Sequence, residues 1–174
     1  MFLSAFATFS ALVYVVSSET ITCPDPGPPR VANRLEDFVY VTETLRPTCN
    51  AGDLCVSCTV DHCRQSSGLG TPGAFPEGVH TLTFEGIFSD VFSSWTRTCS
   101  IQIHAQVVRC GDPPNEPNGH YACDNDMWGS QCVLGCFSGY RPAGGGSSPM
   151  ECKRTDPNGV NGSWQNVPHC ERIP

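Results

Sequence analysis

Basic residues are scarce in this sequence, and lysine is almost absent. Ten Lys and Arg residues stand against 17 Asp and Glu residues, which gives a formal net charge of −7 at pH 7. Lys153 is the single lysine, and Lys153-Arg154 is the one adjacent basic pair. Nucleic acid, heparin and anionic lipid are bound through a concentrated positive patch. The sequence shows no basic stripe, so we predict neither nucleic acid nor a membrane surface as the partner.

Motifs of catalysis are also missing. The sequence has no Gly-x-Ser-x-Gly, no His-Glu-x-x-His and no lysine-bearing phosphate loop, the patterns that position a nucleophile, a zinc ion or a phosphate. We therefore predict that the protein is not an enzyme and needs no cofactor and no metal. A hydrolase with two carboxylates stays open as an alternative, because the proximity of two acids cannot be read from sequence. The histidines are spread along the chain, at His62, His80, His104, His120 and His169.

Long apolar runs are absent after the first eighteen residues. Residues 1–18 carry no charged side chain, are predominantly apolar through Val16 and end in small residues, which is the pattern of a secretory signal peptide. The alternative is a buried N-terminal helix or a short membrane anchor. We predict removal of residues 1–18, which leaves 174 − 18 = 156 residues, and a secreted, extracellular protein without membrane insertion.

Cysteine, glycine and proline, in contrast, are abundant. The sequence contains 12 Cys, 17 Gly and 15 Pro, and every cysteine follows residue 18. An even number of cysteines in a secreted chain favours disulfides over free thiols. So much glycine and proline favours turns over helices. We predict an all-β protein made of small, disulfide-stapled domains.

The cysteines divide into two groups of six near Val107-Val108-Arg109. We predict domains at residues 19–108 and 109–172, with 173–174 as a tail. Each group can close its own framework, so we expect six bridges and none between the halves. The first group is Cys23, Cys49, Cys55, Cys58, Cys63 and Cys99, and the second is Cys110, Cys123, Cys132, Cys136, Cys152 and Cys170.

Alternating patterns predict strands in the first half. Asp37–Leu45 is β-branched and aromatic, and Gly78–Phe84 alternates apolar and polar residues. Thr98–Gln106 alternates most cleanly. One apolar face at period two is typical of strands that are half-buried in a sandwich. The apolar face of the last segment is formed by Cys99, Ile101, Ile103 and Ala105.

Three segments of this half resemble the hyalin repeat (HYR) domain. They are Cys23-Pro24, the run FPEGVHTLTF at 75–84 and the run CSIQI at 99–103. The resemblance implies an immunoglobulin-like β-sandwich of a family associated with adhesion. Because terminal strands of such sandwiches can be neighbours, we expect a Cys23–Cys99 bridge. Two features depart from the family: an Asp-x-x-Gly-Asn turn is replaced by Ser89–Trp95, and the cysteines between 49 and 63 are additional.

These additional cysteines follow one another as Cys49-x5-Cys55-x2-Cys58-x4-Cys63. If they form disulfides, three pairings are open. Cys-x-x-Cys also occurs in zinc sites and in redox proteins. An oxidising compartment and an even count argue against zinc, and the absence of a strand-to-helix context argues against a redox motif. We predict two structural disulfides.

The second half resembles a sushi domain, also called a complement control protein module, over its whole length. The motifs that carry the resemblance are CGDPP at 110–114, NG at 118–119, GS at 129–130, CFSGY at 136–140, Cys152 and GSWQNVPHC at 162–170. The resemblance implies a small elongated β-sandwich closed by the bridges Cys110–Cys152 and Cys136–Cys170. It also implies that Trp164 packs in the centre, with Tyr140 beside it.

Two cysteines of this half, Cys123 and Cys132, are additional to the sushi framework. Counting back by two from Cys136 places Cys132 on the inward face of its strand. A Cys123–Cys132 bridge then pins both ends of the segment between them. We predict that this segment is a contact surface. The alternatives are a variable loop that is merely stapled, and a Trp128 that packs in the core. The predicted contact residues are Asp124, Asp126 and Trp128.

One main functional hypothesis and two alternatives follow. Adjacent HYR-like and sushi domains resemble parts of secreted sushi-repeat matrix proteins, which act in cell adhesion. We predict a secreted, non-catalytic binding protein that recognises an extracellular protein or glycan through surface loops, and that is glycosylated at the sequon Asn161-Gly-Ser163. A complement-interacting or immune-modulating protein is the first alternative, although complement regulators usually carry several sushi modules in tandem. A small secreted hydrolase or hydrolase inhibitor is the second.

The apolar N-terminal run generates a first prediction. We expect the secreted protein to begin at Glu19, because the small residues at positions 16 and 18 suit a signal-peptidase site. N-terminal sequencing of protein recovered from culture medium measures this directly. Secreted protein that begins at Met1 would contradict the prediction.

Overall fold

The computed structural model describes residues 19–52, 58–145, 148–157 and 159–174. The predicted signal peptide and Cys55 lie outside the described residues. In the described ranges the protein is all-β, with one 3-10 turn at Ala143–Gly145 and no helix that is long and apolar enough to cross a membrane. The strands are β1 Thr20–Thr22, β2 Arg30–Val31, β3 Phe38–Val41, β4 Thr48–Asn50, β5 Thr59–Ser67, β6 Gly73–Pro76, β7 Gly78–Ser89, β8 Ser94–Gln106, β9 Gly119–Cys123, β10 Gln131–Cys136, β11 Tyr140–Pro142, β12 Met150–Arg154, β13 Gly162–Gln165 and β14 Cys170–Arg172.

A long antiparallel hairpin of β7 and β8 dominates the first half. Its pairs run without interruption from Gly78↔Ala105 to Ser89↔Ser94. The hairpin lies in a four-stranded sheet of order β2-β8-β7-β5, in which β2 is parallel to β8. Both strands extend beyond the predicted segments, because buried positions continue to alternate through Gly86 and Phe88. Gly86 is required there, since a Cβ atom would lie 2.7 Å from the Cys49 sulfur.

The smaller β3–β6 sheet shares a core with this hairpin. Val39 and Val41 of β3 and Phe75 of β6 are buried in one cluster with side chains of β7 and β8. The predicted strand 37–45 is shortened to Phe38–Val41, because its partner β6 begins at Gly73, opposite Val41. The hairpin contributes Leu82, Phe84, Ile101, Ile103 and Ala105 to this core.

Disulfides tie the remaining strands of the first half to this core. Cys23–Cys99 joins the N-terminal segment to β8. Cys49–Cys63 joins β4 to β5, which selects among the three pairings left open by the sequence. Cys58 is also disulfide-bonded, and none of the described cysteines is free. The thiolates of Cys49, Cys58 and Cys63 are therefore not available to a zinc ion.

The second half consists of a four-stranded sheet of order β13-β12-β10-β9 and the separate pair β11–β14. Cys123 and Cys132 are directly opposed on β9 and β10, with their Cα atoms 3.9 Å apart. Cys132 is fully buried and lies on the inward face with Leu134. The other bridges described in this half are Cys110–Cys152 and Cys136–Cys170.

Trp164 does not occupy the centre of the second half as the sushi resemblance implied. It is half-buried on β13, and its indole Nε1 donates a hydrogen bond to the carbonyl oxygen of Gly111 at 3.0 Å. The fully buried positions are taken by Met150, Cys132 and Cys152 instead. A module with so small a core depends on its bridges more than on a central aromatic residue.

The disulfides generate a second prediction. Cys23–Cys99 closes a loop of 76 residues and Cys123–Cys132 one of 9 residues. Loop-closure entropy predicts a loss of about 4 kcal/mol of unfolding free energy for the Cys23→Ala/Cys99→Ala double variant, and about 3 kcal/mol for Cys123→Ala/Cys132→Ala. Urea titration followed by far-UV circular dichroism measures both. If the second variant unfolds at the same urea concentration as the parent, the short bridge does not stabilise the fold.

Candidate functional site

The segment between Cys123 and Cys132, residues 124–131, is called the stapled loop. Its first two side chains organise its own backbone. The carboxylate of Asp124 accepts hydrogen bonds from the main-chain N–H groups of Asn125 and Gln131, at 2.8 and 2.9 Å. The amide oxygen of Asn125 accepts from the Met127 N–H at 2.8 Å and from the hydroxyl of the fully buried Ser130. The loop is therefore held internally as well as by its bridge.

Asp126, a predicted contact residue, forms an ion pair at the junction of the two halves. Arg109 donates from Nη1 to Asp126 at 2.6 Å, and from Nε and Nη2 to Glu77 at 3.1 and 2.8 Å. The hydrogen bond to Glu77, followed by that to Asp126, raises the pKa of the Arg109 guanidinium. One arginine thus connects the turn before β7 with the stapled loop.

The backbone at Trp128 forms two hydrogen bonds with the first half. Its carbonyl oxygen accepts from the Leu35 N–H, and its own N–H donates to the carbonyl of Val108, both at 2.9 Å. Met127 packs against the core cluster of the first half. Arg34 Nη2 donates to the Gly129 carbonyl at 3.4 Å. Part of the stapled loop is therefore used for contacts within the chain.

The Trp128 side chain is half-buried and lies beside Arg154 of β12. The guanidinium carbon of Arg154 lies 5.8 Å from the centroid of the Trp128 ring, within the range of a cation–π interaction. Asp124, in contrast, is exposed. The three predicted contact residues therefore lie in one loop but in three different environments.

The tip of the β7–β8 hairpin is a second candidate, which was not singled out from the sequence. The Asp90 carboxylate accepts hydrogen bonds from the Phe92 N–H at 2.8 Å and from the Ser93 N–H at 2.7 Å. These two bonds lower the pKa of the Asp90 carboxyl below its ordinary value. Val91 is 73% exposed and Phe92 is 93% exposed. An aspartate two residues before Phe92 in a turn was the available sequence signal.

Potential metal ligands do not cluster in the part of the chain that the structure describes. No group of three or more His, Cys, Asp or Glu residues there could hold a metal ion. His80 lies against the edge of Phe75 and contacts the carbonyl of Pro76, whereas His120 stacks beside Phe137. Asn161, the predicted glycosylation site, is exposed immediately before β13, where it forms an isolated β-bridge with Arg109.

Among curated proteins, the chain is similar to two with sushi repeats. It is 32% identical over 118 residues to the Mus musculus protein named Sushi, von Willebrand factor type A, EGF and pentraxin domain-containing protein 1, a match of 64% of this chain and 3% of that protein. It is 30% identical over 79 residues to the Homo sapiens Sushi repeat-containing protein SRPX, a match of 44% of this chain and 16% of that protein. The chain thus spans a small part of each relative. No protein-family model and no solved structure matches.

The packing of Arg34 against Gly129 of the stapled loop generates a third prediction. Gly129 has φ +94°, and a Cβ atom there would lie 2.5 Å from Cγ of Arg34. We expect Gly129→Ala to lower the free energy of unfolding by about 1–2 kcal/mol for the left-handed backbone and by about 1 kcal/mol more for the displaced Arg34. Urea unfolding measures the loss.

Gly139 offers a matched control for this substitution. It has φ +88° with nothing within 4 Å of the added Cβ, so Gly139→Ala isolates the backbone cost. In an Arg34→Ala background, the excess cost of Gly129→Ala should disappear. Equal losses for the two glycine variants would show that Arg34 does not pack tightly on the stapled loop.

Proposed function

We propose that this protein is a secreted, non-catalytic binding protein that recognises an extracellular macromolecule, as adhesion and matrix proteins do. Similarity to two sushi-repeat proteins supports the assignment. The disulfides of all described cysteines support an oxidising compartment, because structural disulfides persist outside the cell and are reduced in the cytosol. The partner class is an extracellular protein or glycan.

The proposed arrangement is an HYR-like, immunoglobulin-like β-sandwich at residues 19–108 followed by a sushi module at 109–172. Two observations support it. The five bridges described residue by residue stay within one half or the other. Each half also has its own four-stranded sheet. The arrangement gives two small stapled units that present loops on a fixed framework.

The observation that carries the proposed function is the exposed Phe92 on an ordered turn. A phenylalanine that is 93% exposed contributes almost no burial free energy to folding. Its burial against a partner would contribute about 1.5–3 kcal/mol to binding. The hydrogen bonds of Asp90 and the unbroken hairpin below it order the tip before binding. A pre-ordered apolar tip loses little entropy on association and can serve as an anchor.

The stapled loop contributes a second proposed contact region. Asp124 is exposed and Trp128 is half-buried. Asp126 shares Arg109 with Glu77, so we assign it to positioning the loop as well as to the surface. The exposure of Asn161 is compatible with an N-linked glycan at that residue.

The hairpin tip generates a fourth prediction. Oxidised protein (residues 19–174) is immobilised and exposed to extracellular fluid, and the retained proteins are quantified by mass spectrometry. We expect Phe92→Ser to reduce retention of the specific partner at least tenfold, about 1.4 kcal/mol. Its unfolding free energy should stay within about 0.5 kcal/mol of the parent, because the side chain is exposed.

Phe137→Ser is the matched control, since Phe137 is also an exposed phenylalanine, at 53%, on the second half. It should retain the partner at the level of the parent protein. Partner capture that survives Phe92→Ser would place the contact away from the hairpin tip. Turnover of generic peptide or glycan substrates by the pure protein would contradict the non-catalytic assignment.

A further inference from the structure

An open cleft of about 450 Å³ lies beside Trp128 and combines an aromatic ring with charged side chains. Its volume falls within the range of small-ligand sites, roughly 300–1,000 Å³. The cleft is built on β12 and on the segment that follows it. Its lining residues are Trp128, Glu151, Lys153, Arg154 and Pro157.

Positive charge collects at this cleft, although the chain as a whole carries −7. Arg34 and Lys153 flank the Glu151 carboxylate at 3.3 and 3.5 Å. The cleft lining itself holds Lys153, Arg154 and one carboxylate, Glu151, so its formal charge is +1. If Arg34, which pairs with Glu151, and Asp156, next to the rim, are both counted as well, the formal charge is still +1. A positive site on an acidic protein attracts an anion.

The cations are available to a ligand. The side chains of Arg34 and Lys153 are 50% and 51% exposed. Arg154 is oriented by one bond from Nε to the carbonyl of Gly159 at 2.7 Å. Among the described residues, no hydrogen bond or ion pair uses the Nη nitrogens of Arg154. A guanidinium oriented in this way can form two parallel hydrogen bonds with a carboxylate.

We propose that this cleft binds an acidic sugar, that is, a sugar ring that bears a carboxylate. Lys153 and Arg154 would bind the carboxylate, and the indole of Trp128 would pack against the apolar face of the ring. An aromatic side chain beside a few placed polar groups is the usual composition of a small-ligand site. Arg34, from the first half of the chain, pairs with Glu151 at 3.3 Å and offsets its negative charge.

An extended acidic peptide fits the cleft less well than a sugar. A peptide that binds a sheet by strand addition needs a strand edge with unpaired main-chain groups. At Glu151, β12 is paired with β10 on one side and with β13 on the other. At Glu151 the cleft therefore offers side chains and not a free strand edge, which suits a compact ligand.

This inference deepens the proposed binding function and rests on it. The test is a titration of ¹⁵N-labelled oxidised protein, residues 19–174, with a hyaluronan tetrasaccharide, followed by two-dimensional NMR. We expect saturable shifts of the Trp128 indole N–H and of the amides of Lys153 and Arg154. Added salt should weaken binding, because the charges are exposed. Chitotetraose, an uncharged tetrasaccharide, should bind at least tenfold more weakly.

Two variants make the test specific. Arg34→Gln/Lys153→Gln should raise the dissociation constant at least tenfold. Arg141→Gln removes a cation of similar exposure, 54%, that pairs with Glu171, and should leave the dissociation constant unchanged. Unchanged amide spectra away from the substitutions show that each variant is folded.

Three results would overturn the inference. Equal binding of both tetrasaccharides would exclude recognition of the carboxylate. Shifts caused by a hexaglutamate peptide but not by hyaluronan would make the cleft a peptide site. The absence of shifts with hyaluronan would leave no sugar site. None of these results affects partner capture by Phe92, so this inference and the proposed function can fail separately.

Discussion

The bridge between Cys123 and Cys132 fixes the segment on which the contact between the two halves depends. It joins opposed residues of β9 and β10, so the stapled loop leaves and re-enters the sheet at one point. Ordering each residue of such a loop costs roughly 1–2 kcal/mol of backbone entropy. The bridge reduces this cost by restricting the unfolded chain. The ordered main chain at Trp128 can then hold Leu35 and Val108 at the same time.

The junction in turn determines where charge collects. Arg34 lies 117 residues before Glu151 in the chain, and the two meet because the stapled loop holds the segment around Leu35 against the second half. A chain with ten basic residues and no basic stripe thereby acquires one local excess of positive charge. Its location at the boundary means that a change in the junction also changes the cleft. Gly129, whose missing side chain leaves room for Arg34, contributes to both.

The sequence predicted the alternation of side chains within strands better than it predicted contacts between distant residues. The alternation of Thr98–Gln106 predicted the buried face of β8, because side-chain direction in a strand depends only on position. The same count placed Cys132 inward, where it is fully buried. The hairpin beyond Phe84 was missed, since Gly86 interrupts the hydrophobic pattern to make room for a sulfur distant in the chain. The clustering of Arg34 with the β12 charges was missed for a similar reason, because no periodicity encodes contacts between halves.

The negative net charge of the protein opposes self-association through the exposed hairpin tip. An exposed Phe92 would favour self-association of a neutral protein, but a net charge far from zero opposes it through repulsion between copies. Asp90 adds a charge at the tip itself, and the two main-chain N–H groups that bind its carboxylate lower its pKa. The same carboxylate therefore orders the turn and keeps its apolar end in solution. The group that shapes the turn therefore also carries the charge beside the exposed Phe92.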